Sequence, residues 1–226
     1  MAIPSKLGRC LVVAILFVIS PLSVYAGEVL DTPPAQPDSS AKYLFYMHGR
    51  HVERQGADGD YEYAGILDAL AKKGLVVIGE VRSATDPRAY SKDIASQVRG
   101  LLEAGVPAKN ITVAGHSKGG FMSMLSASQI QNEAIKYGIL AGCGVEGSAF
   151  RRSYMKFSKR SAKRMRGHFL VAWDADDDVT RECDLAMGKA GVDFRNLVFE
   201  TGSGHRLFYK PKPVWIDPLA EFALSE

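Results

Sequence analysis

From residue 42 onward, short apolar runs alternate with segments whose apolar residues recur every three or four positions. These are the periods of buried strands and of helices packed on one face. Tyr43–Met47 reads as a strand ended by His48-Gly49, and Tyr61–Lys72 reads as a helix with Ile66, Leu67 and Leu70 on one side. Gly74 stops that helix and Leu75–Val81 follows as a strand. Pro87–Ala104 has Pro in its first turn and Gly105 just past its end, the start and stop signals of a helix. The series continues as strand Ile111–Ala114, helix Gly119–Tyr137, strand Ile139–Ala141, a polar and basic helix near Ser153–Arg166, and strand Phe169–Trp173. A short helix at Asp184–Ala190, strand Leu197–Phe199 and a helix at Trp215–Leu224 complete it.

Strands that alternate with helices predict an α/β fold: a mostly parallel, doubly wound sheet of about six strands with helices on both faces. Ligands of such sheets bind beyond the carboxyl ends of the strands, so residues that follow strands are the candidates for chemistry.

The segment before residue 42 has a different character. Lys6 and Arg9 precede an apolar run from Cys10 to Ile19, which Ser20-Pro21 breaks and Val24-Tyr25-Ala26 closes. That run falls short of the roughly 20 apolar residues of a spanning helix, and its flanks are those of a secretory signal read by signal peptidase. Residues 1–26 are therefore expected to be removed after Ala26, the alternative being an uncleaved anchor. Residues 27–41, with Pro33-Pro34 and Pro37, read as an extended lead-in with little core to offer.

Cleavage changes two further readings. The formal charge of +3 falls to +1 without Lys6 and Arg9, which removes any global electrostatic case for nucleic acid. Of three cysteines, Cys10 leaves with the signal, and Cys143 and Cys183 remain as an even pair in an oxidising periplasmic or extracellular compartment. A disulfide is expected, with two free thiols as the alternative.

The strongest chemical signal is Gly115-His116-Ser117-Lys118-Gly119, a G-x-S-x-G pattern between the strand Ile111–Ala114 and a helix. Alone the pattern is weak. In a strand–turn–helix setting it is a nucleophile elbow, where glycines permit a turn too sharp for a Cβ and the serine hydroxyl stands at a helix N-terminus. The N–H of Lys118, the residue after the nucleophile, is then one oxyanion donor.

A serine nucleophile needs a base and the base an orienting carboxylate. Of the histidines beyond the signal, His205 follows the last strand in the Gly-rich loop 201–205, which suits an imidazole reaching over the elbow. His116 lies inside the elbow and points elsewhere, and His168 precedes a strand. The acid is expected between serine and histidine. Asp174, Asp176, Asp177 and Asp178 follow the strand Phe169–Trp173, and like charges so close require most of them to be solvated.

From about Tyr43 to the C-terminus, the order of an H-G turn, an elbow, an acid turn and a histidine resembles the α/β-hydrolase superfamily. The resemblance implies one hydrolase domain over residues 42–226, with a sheet shortened at its start and no large lid. Its acid commonly stands in a G-x-x-D turn, which puts Asp174 at the Gly position and Asp177 at the acid position, with Asp176 and Asp178 as alternatives. Its second oxyanion donor comes from the loop after an early strand, which here makes the N–H of Gly49 or Arg50 the donor and His48 a packing residue of the turn.

Eight Lys and Arg fall between Arg151 and Arg166, with Tyr154, Phe157 and Met165 as inward contacts. The plain reading is a solvated helix face, and the functional one is attraction to an anionic envelope surface. No sequence motif for a metal or cofactor is present, and none is expected. The sequence thus predicts an exported serine hydrolase, an esterase first, acting on a small-molecule ester through Ser117, His205 and Asp177. The rivals are a small serine peptidase and a non-catalytic envelope protein that binds an anionic partner through the basic helix.

Overall fold

The computed structural model describes residues 27–57, 59–148 and 150–226; the expected signal segment lies outside the described residues. One sheet of seven strands organises them, in the order β1-β3-β2-β4-β5-β6-β7, with every neighbouring pair parallel. The strands are β1 (Glu28–Leu30), β2 (Tyr43–Met47), β3 (Val76–Ile78), β4 (Ile111–His116), β5 (Lys136–Leu140), β6 (His168–Asp174) and β7 (Phe194–Phe199). The helices are α1 (Arg50–Gln55), α2 (Tyr63–Ala71), α3 (Pro87–Glu103), α4 (Lys118–Ile130), α5 (Arg151–Arg160), α6 (Asp184–Ala190) and α7 (Pro213–Leu224).

The inner strands read as unbroken apolar runs because both faces of the sheet are covered. Successive side chains of a strand point to opposite faces. Tyr43, Phe45 and Met47 therefore pack with Val98, Met122, Phe157 and Met187 of α3–α6, whereas Leu44 and Tyr46 pack with Ile66, Leu70, Trp215 and Leu219 of α2 and α7. At the β7 edge only part of each side chain is covered, and every β7 residue is exposed or half-buried.

Local signals explain most boundaries. Asp86 caps α3 by accepting from the N–H groups of Arg88 and Ala89, both at 2.9 Å, ahead of Pro87 at the first turn. Gly105, at φ +91, turns the chain away after the helix.

The structure departs from the sequence pattern at three places. The lead-in supplies β1, a three-residue edge strand paired to β3, so the sheet has one strand more than predicted. Helix α4 stops at Ile130 rather than running to Tyr137, because Gln131 takes the left-handed conformation at φ +56 and Asn132 accepts from the Ala134 N–H in a tight turn. Lys136 and Tyr137 then open β5. Finally, α1 follows Gly49 directly; it is one short helix with Val52 as its buried residue, too brief to leave a period in the sequence.

What matters for function is where the strand order reverses. From β2 the chain moves out to β3, which sits between β2 and the edge strand β1, while β4 and every later strand lie on the other side of β2. The loops after β2 and β4 leave in opposite directions, which opens a crevice at the carboxyl ends of those two strands. His48-Gly49 ends β2 and Ser117 ends β4 at that crevice.

Candidate active site

The elbow is a consequence of crowding. Strand β2 runs beside β4, with Met47 in register with Gly115. A Cβ on Gly115 would come within 2.5 Å of the Met47 carbonyl oxygen, and one on Gly119 within 1.9 Å of the same atom. Only glycine fits at either position. Between them Ser117 adopts φ +57 and ψ −113, a conformation that a non-glycine residue holds only when its surroundings enforce it. Its N–H is fixed to the Leu140 carbonyl at 2.8 Å.

Three side chains from distant parts of the chain meet here. His205, in a 3-10 turn spanning Gly204–Tyr209, brings Nε2 to 2.9 Å from Ser117 Oγ. Its Nδ1 stands 2.8 Å from Asp177 Oδ2. With Nδ1–H donating to the carboxylate, Nε2 is the lone-pair nitrogen and accepts from the serine hydroxyl. Asp177 is fully buried, whereas Asp176 and Asp178 are exposed. The Asp177 carboxylate also accepts from the Val179 and Thr180 N–H groups at 2.8 and 2.9 Å, and from the Thr180 hydroxyl at 2.8 Å. Burial pushes its pKa up, but the hydrogen bonds and charge of His205 and the Thr180 donors outweigh that and hold it below the ordinary 3.8. The group stays ionised opposite the imidazole.

Asp174 has a different task. Fully buried at the end of β6, it accepts from the Thr201 N–H at 3.1 Å, the Thr201 hydroxyl at 2.5 Å, the Gly204 N–H at 3.2 Å and the Asp176 N–H at 3.1 Å. It fastens the loop that carries His205 to the loop that carries Asp177. The sequence marked Asp174 as one of four competing aspartates and, by the family register, as the residue at the Gly position; four loop donors meeting on one carboxylate could be found only in three dimensions.

The acid loop is secured from its other side. Cys143 and Cys183 form a buried disulfide between the segments after β5 and β6. Beside it Gly144 bridges Thr180, Val145 N–H donates to Val179 at 3.1 Å, and Arg181 N–H donates to Cys143 at 3.1 Å. The pairing clamps the residues that follow Asp177. A buried disulfide is consistent with an oxidising compartment.

The turn expected to supply the second oxyanion donor lies beside the elbow, with the Gly49 N–H directed at the Tyr61 hydroxyl. A Cβ on Gly49 would stand 3.3 Å from Ser117 Cβ, so the turn after β2 lies against the elbow. Gly49, Arg50, Ser117 and His205 line one cleft of about 260 Å³, and Arg50, Ser117 and Lys118 line a second hollow of about 170 Å³ on its other side. His48 packs the turn as expected: Nδ1–H donates to the Gly49 carbonyl at 2.9 Å and Nε2 accepts the Arg82 N–H at 3.0 Å. Burial, then the charge of Arg82, lowers its pKa to about 3, so the ring is uncharged at neutral pH.

Sequence reasoning missed a buried ionic cluster behind this turn. Glu53 of α1 pairs with Arg82 Nε at 3.0 Å and with Lys118 Nζ at 2.8 Å, and Lys118 also donates to the Thr85 carbonyl at 2.7 Å. The Arg82 guanidinium reaches the His48 carbonyl as well. The side chain next to the serine is thereby tied to the helix and the turn that bear Gly49 and Arg50. His116, outside the path from Asp177 to Ser117, lies with its ring centroid 4.7 Å from that of His205 and tilted by 45° to it. Burial, then the neighbouring His205, pushes its pKa well down, so the wall beside His205 stays neutral.

Comparison with known proteins gives a consistent picture of the architecture. No family model matches the sequence, and no curated protein matches it. Among solved structures, Arabidopsis thaliana SOBER1 superposes with a TM-score of 0.57 at 13% identity, over 81% of this chain and 98% of that one. A putative dienelactone hydrolase from Klebsiella pneumoniae gives 0.53 at 15% identity, over 85% and 91%. Dipeptidyl peptidase 4 from Porphyromonas gingivalis gives 0.55 at 17% identity, over 84% of this chain and 32% of that one, so the chain spans about a third of that peptidase. The chain has the α/β-hydrolase fold. The structures it resembles include both esterase-related and peptidase chains of that fold.

Proposed function

We propose that the chain is an exported serine hydrolase that cleaves small carboxylic esters through an acyl-enzyme on Ser117. One observation carries the reading: the unbroken hydrogen-bond path from Asp177 through His205 to Ser117, at 2.8 and 2.9 Å. As Oγ attacks the ester carbonyl carbon, His205 Nε2 takes the hydroxyl proton, and the ionised Asp177 stabilises the imidazolium. The carbonyl electrons move onto oxygen, which the backbone N–H of Lys118 and that of Gly49 or Arg50 hold. Collapse expels the alcohol, which receives the proton from Nε2. Water then loses a proton to the same nitrogen and attacks the acyl carbon, and collapse releases the acid as Ser117 Oγ takes the proton back from Nε2.

A cleft of about 260 Å³ favours short acyl groups. Export is supported by the charged and apolar pattern before Gly27 and by the Cys143–Cys183 disulfide. The test is hydrolysis of a panel of short and long acyl esters by the purified protein and by Ser117→Ala. Turnover of short esters that vanishes in Ser117→Ala supports the reading; turnover that the substitution leaves intact refutes it.

A further inference from the structure

The cleft over Ser117 carries positive charge that the proton transfers do not use. Arg50 and Arg54 stand four residues apart on α1 and both line the cleft that holds Ser117 and His205. That spacing puts them on one face of the helix. No carboxylate among the described residues lines this cleft, and among those residues neither arginine forms a salt bridge.

The nearby acids, Glu53 and Asp86, line an adjoining groove with both arginines and compensate them only in part. Glu53, between the two arginines in sequence, is buried and shared by Lys118 and Arg82. That is two buried cations on one carboxylate. Asp86, across the adjoining groove, has Oδ1 engaged with the first N–H groups of α3. The wall beside the nucleophile is therefore electropositive, and a cleft of one sign concentrates ligands of the other.

We propose that Arg54, with Arg50, recognises a carboxylate on the substrate, so that the scissile ester belongs to a molecule with a free acid a few bonds from its acyl carbon. A guanidinium is planar and forked, which suits a carboxylate better than a point charge does. The cleft is smaller than the ~300–1,000 Å³ that accommodates drug-sized ligands, so ester and acid must be close together. Binding the remote acid holds the carbonyl over Ser117 and turns binding energy into orientation. The inference rests on the acyl-enzyme reading above and adds the charge of the substrate.

The experiment compares phenyl butyrate with phenyl hydrogen glutarate, corrected for spontaneous hydrolysis, using the wild type, Arg54→Gln, Arg54→Lys and Arg54→Glu. Arg54 is exposed and takes no part in the chemistry, so these variants report on recognition. The wild type is expected to have the higher kcat/KM on the glutarate. Arg54→Gln lowers that value roughly fivefold and changes butyrate hydrolysis less than about twofold. Arg54→Glu lowers the glutarate value further, Arg54→Lys keeps part of it, and salt at roughly 0.5 M narrows the wild-type preference. Equal losses on both esters, or a wild-type preference for butyrate, overturn the proposal. Fluorophosphonate labelling of Ser117 without discrimination between the esters overturns charge recognition alone. No labelling and no turnover of either ester overturns the acyl-enzyme reading, and the recognition falls with it.

Discussion

Asp174 holds Thr201 by two hydrogen bonds at once, to its N–H at 3.1 Å and its hydroxyl at 2.5 Å, and so joins the end of β6 to the loop that delivers His205. The imidazole is aimed by a carboxylate it does not touch. Asp174→Ala leaves the Thr201 and Gly204 donors without their acceptor, which costs about 2 kcal/mol of stability. The same change lowers kcat by about tenfold to a hundredfold while KM moves little, because the base is misplaced rather than removed. Thermal unfolding and steady-state kinetics of the one variant test both parts.

Four aspartates compete in sequence, and the structure separates their surroundings: Asp174 and Asp177 are buried, Asp176 and Asp178 exposed. Asp177→Asn keeps the size of the side chain but no longer fixes Nδ1–H of His205, and kcat/KM is expected to fall by about 10³–10⁴. Asp176→Asn and Asp178→Asn alter exposed groups and are expected to stay within about twofold of wild type. Ester hydrolysis by the three variants side by side makes the comparison.

The Glu53 cluster predicts an unequal pair. Lys118→Met removes one of two cations and leaves Glu53 with Arg82, whereas Glu53→Gln leaves two buried cations without their counter-charge. Breaking such a pair costs about 3–5 kcal/mol. Glu53→Gln belongs at the upper end and Lys118→Met below it. Urea midpoints at constant m rank them.

His48 links folding to pH. The folded protein keeps this ring neutral down to about pH 3, whereas an unperturbed imidazole takes up a proton near 6.5. Below that value the unfolded chain binds more protons, so stability falls with pH, by up to about 1.4 kcal/mol per pH unit for this ring. The buried His116, also shifted down, adds a slope of the same sign. Urea midpoints at about pH 7.5 and pH 5 are expected to differ in that direction, and His48→Gln to reduce the difference.

The features legible in the sequence were those written locally. Ser117 stood out because its glycines, strand and helix are contiguous, and His205 because it follows a strand in a Gly-rich loop. Asp177 needed a family register to rise above its neighbours; in the structure it is the buried member of the exposed run Asp176–Asp178. Strand β1 escaped notice because three residues at a sheet edge draw their definition from β3, not from their own pattern. The Glu53–Arg82–Lys118 cluster was invisible for a related reason: its members lie on three segments that meet only where β2 and β4 diverge, and each alone reads as a surface charge.

The proposed activity rests above all on activation of the Ser117 hydroxyl by His205. Reaction of the purified protein with a fluorophosphonate probe, followed by mass mapping of the adduct and by its rate in His205→Ala, measures this directly. A single adduct at Ser117, formed about 10³-fold more slowly or not at all in His205→Ala, is the predicted result. An unlabelled Ser117, or labelling of His205→Ala at the wild-type rate, would contradict it.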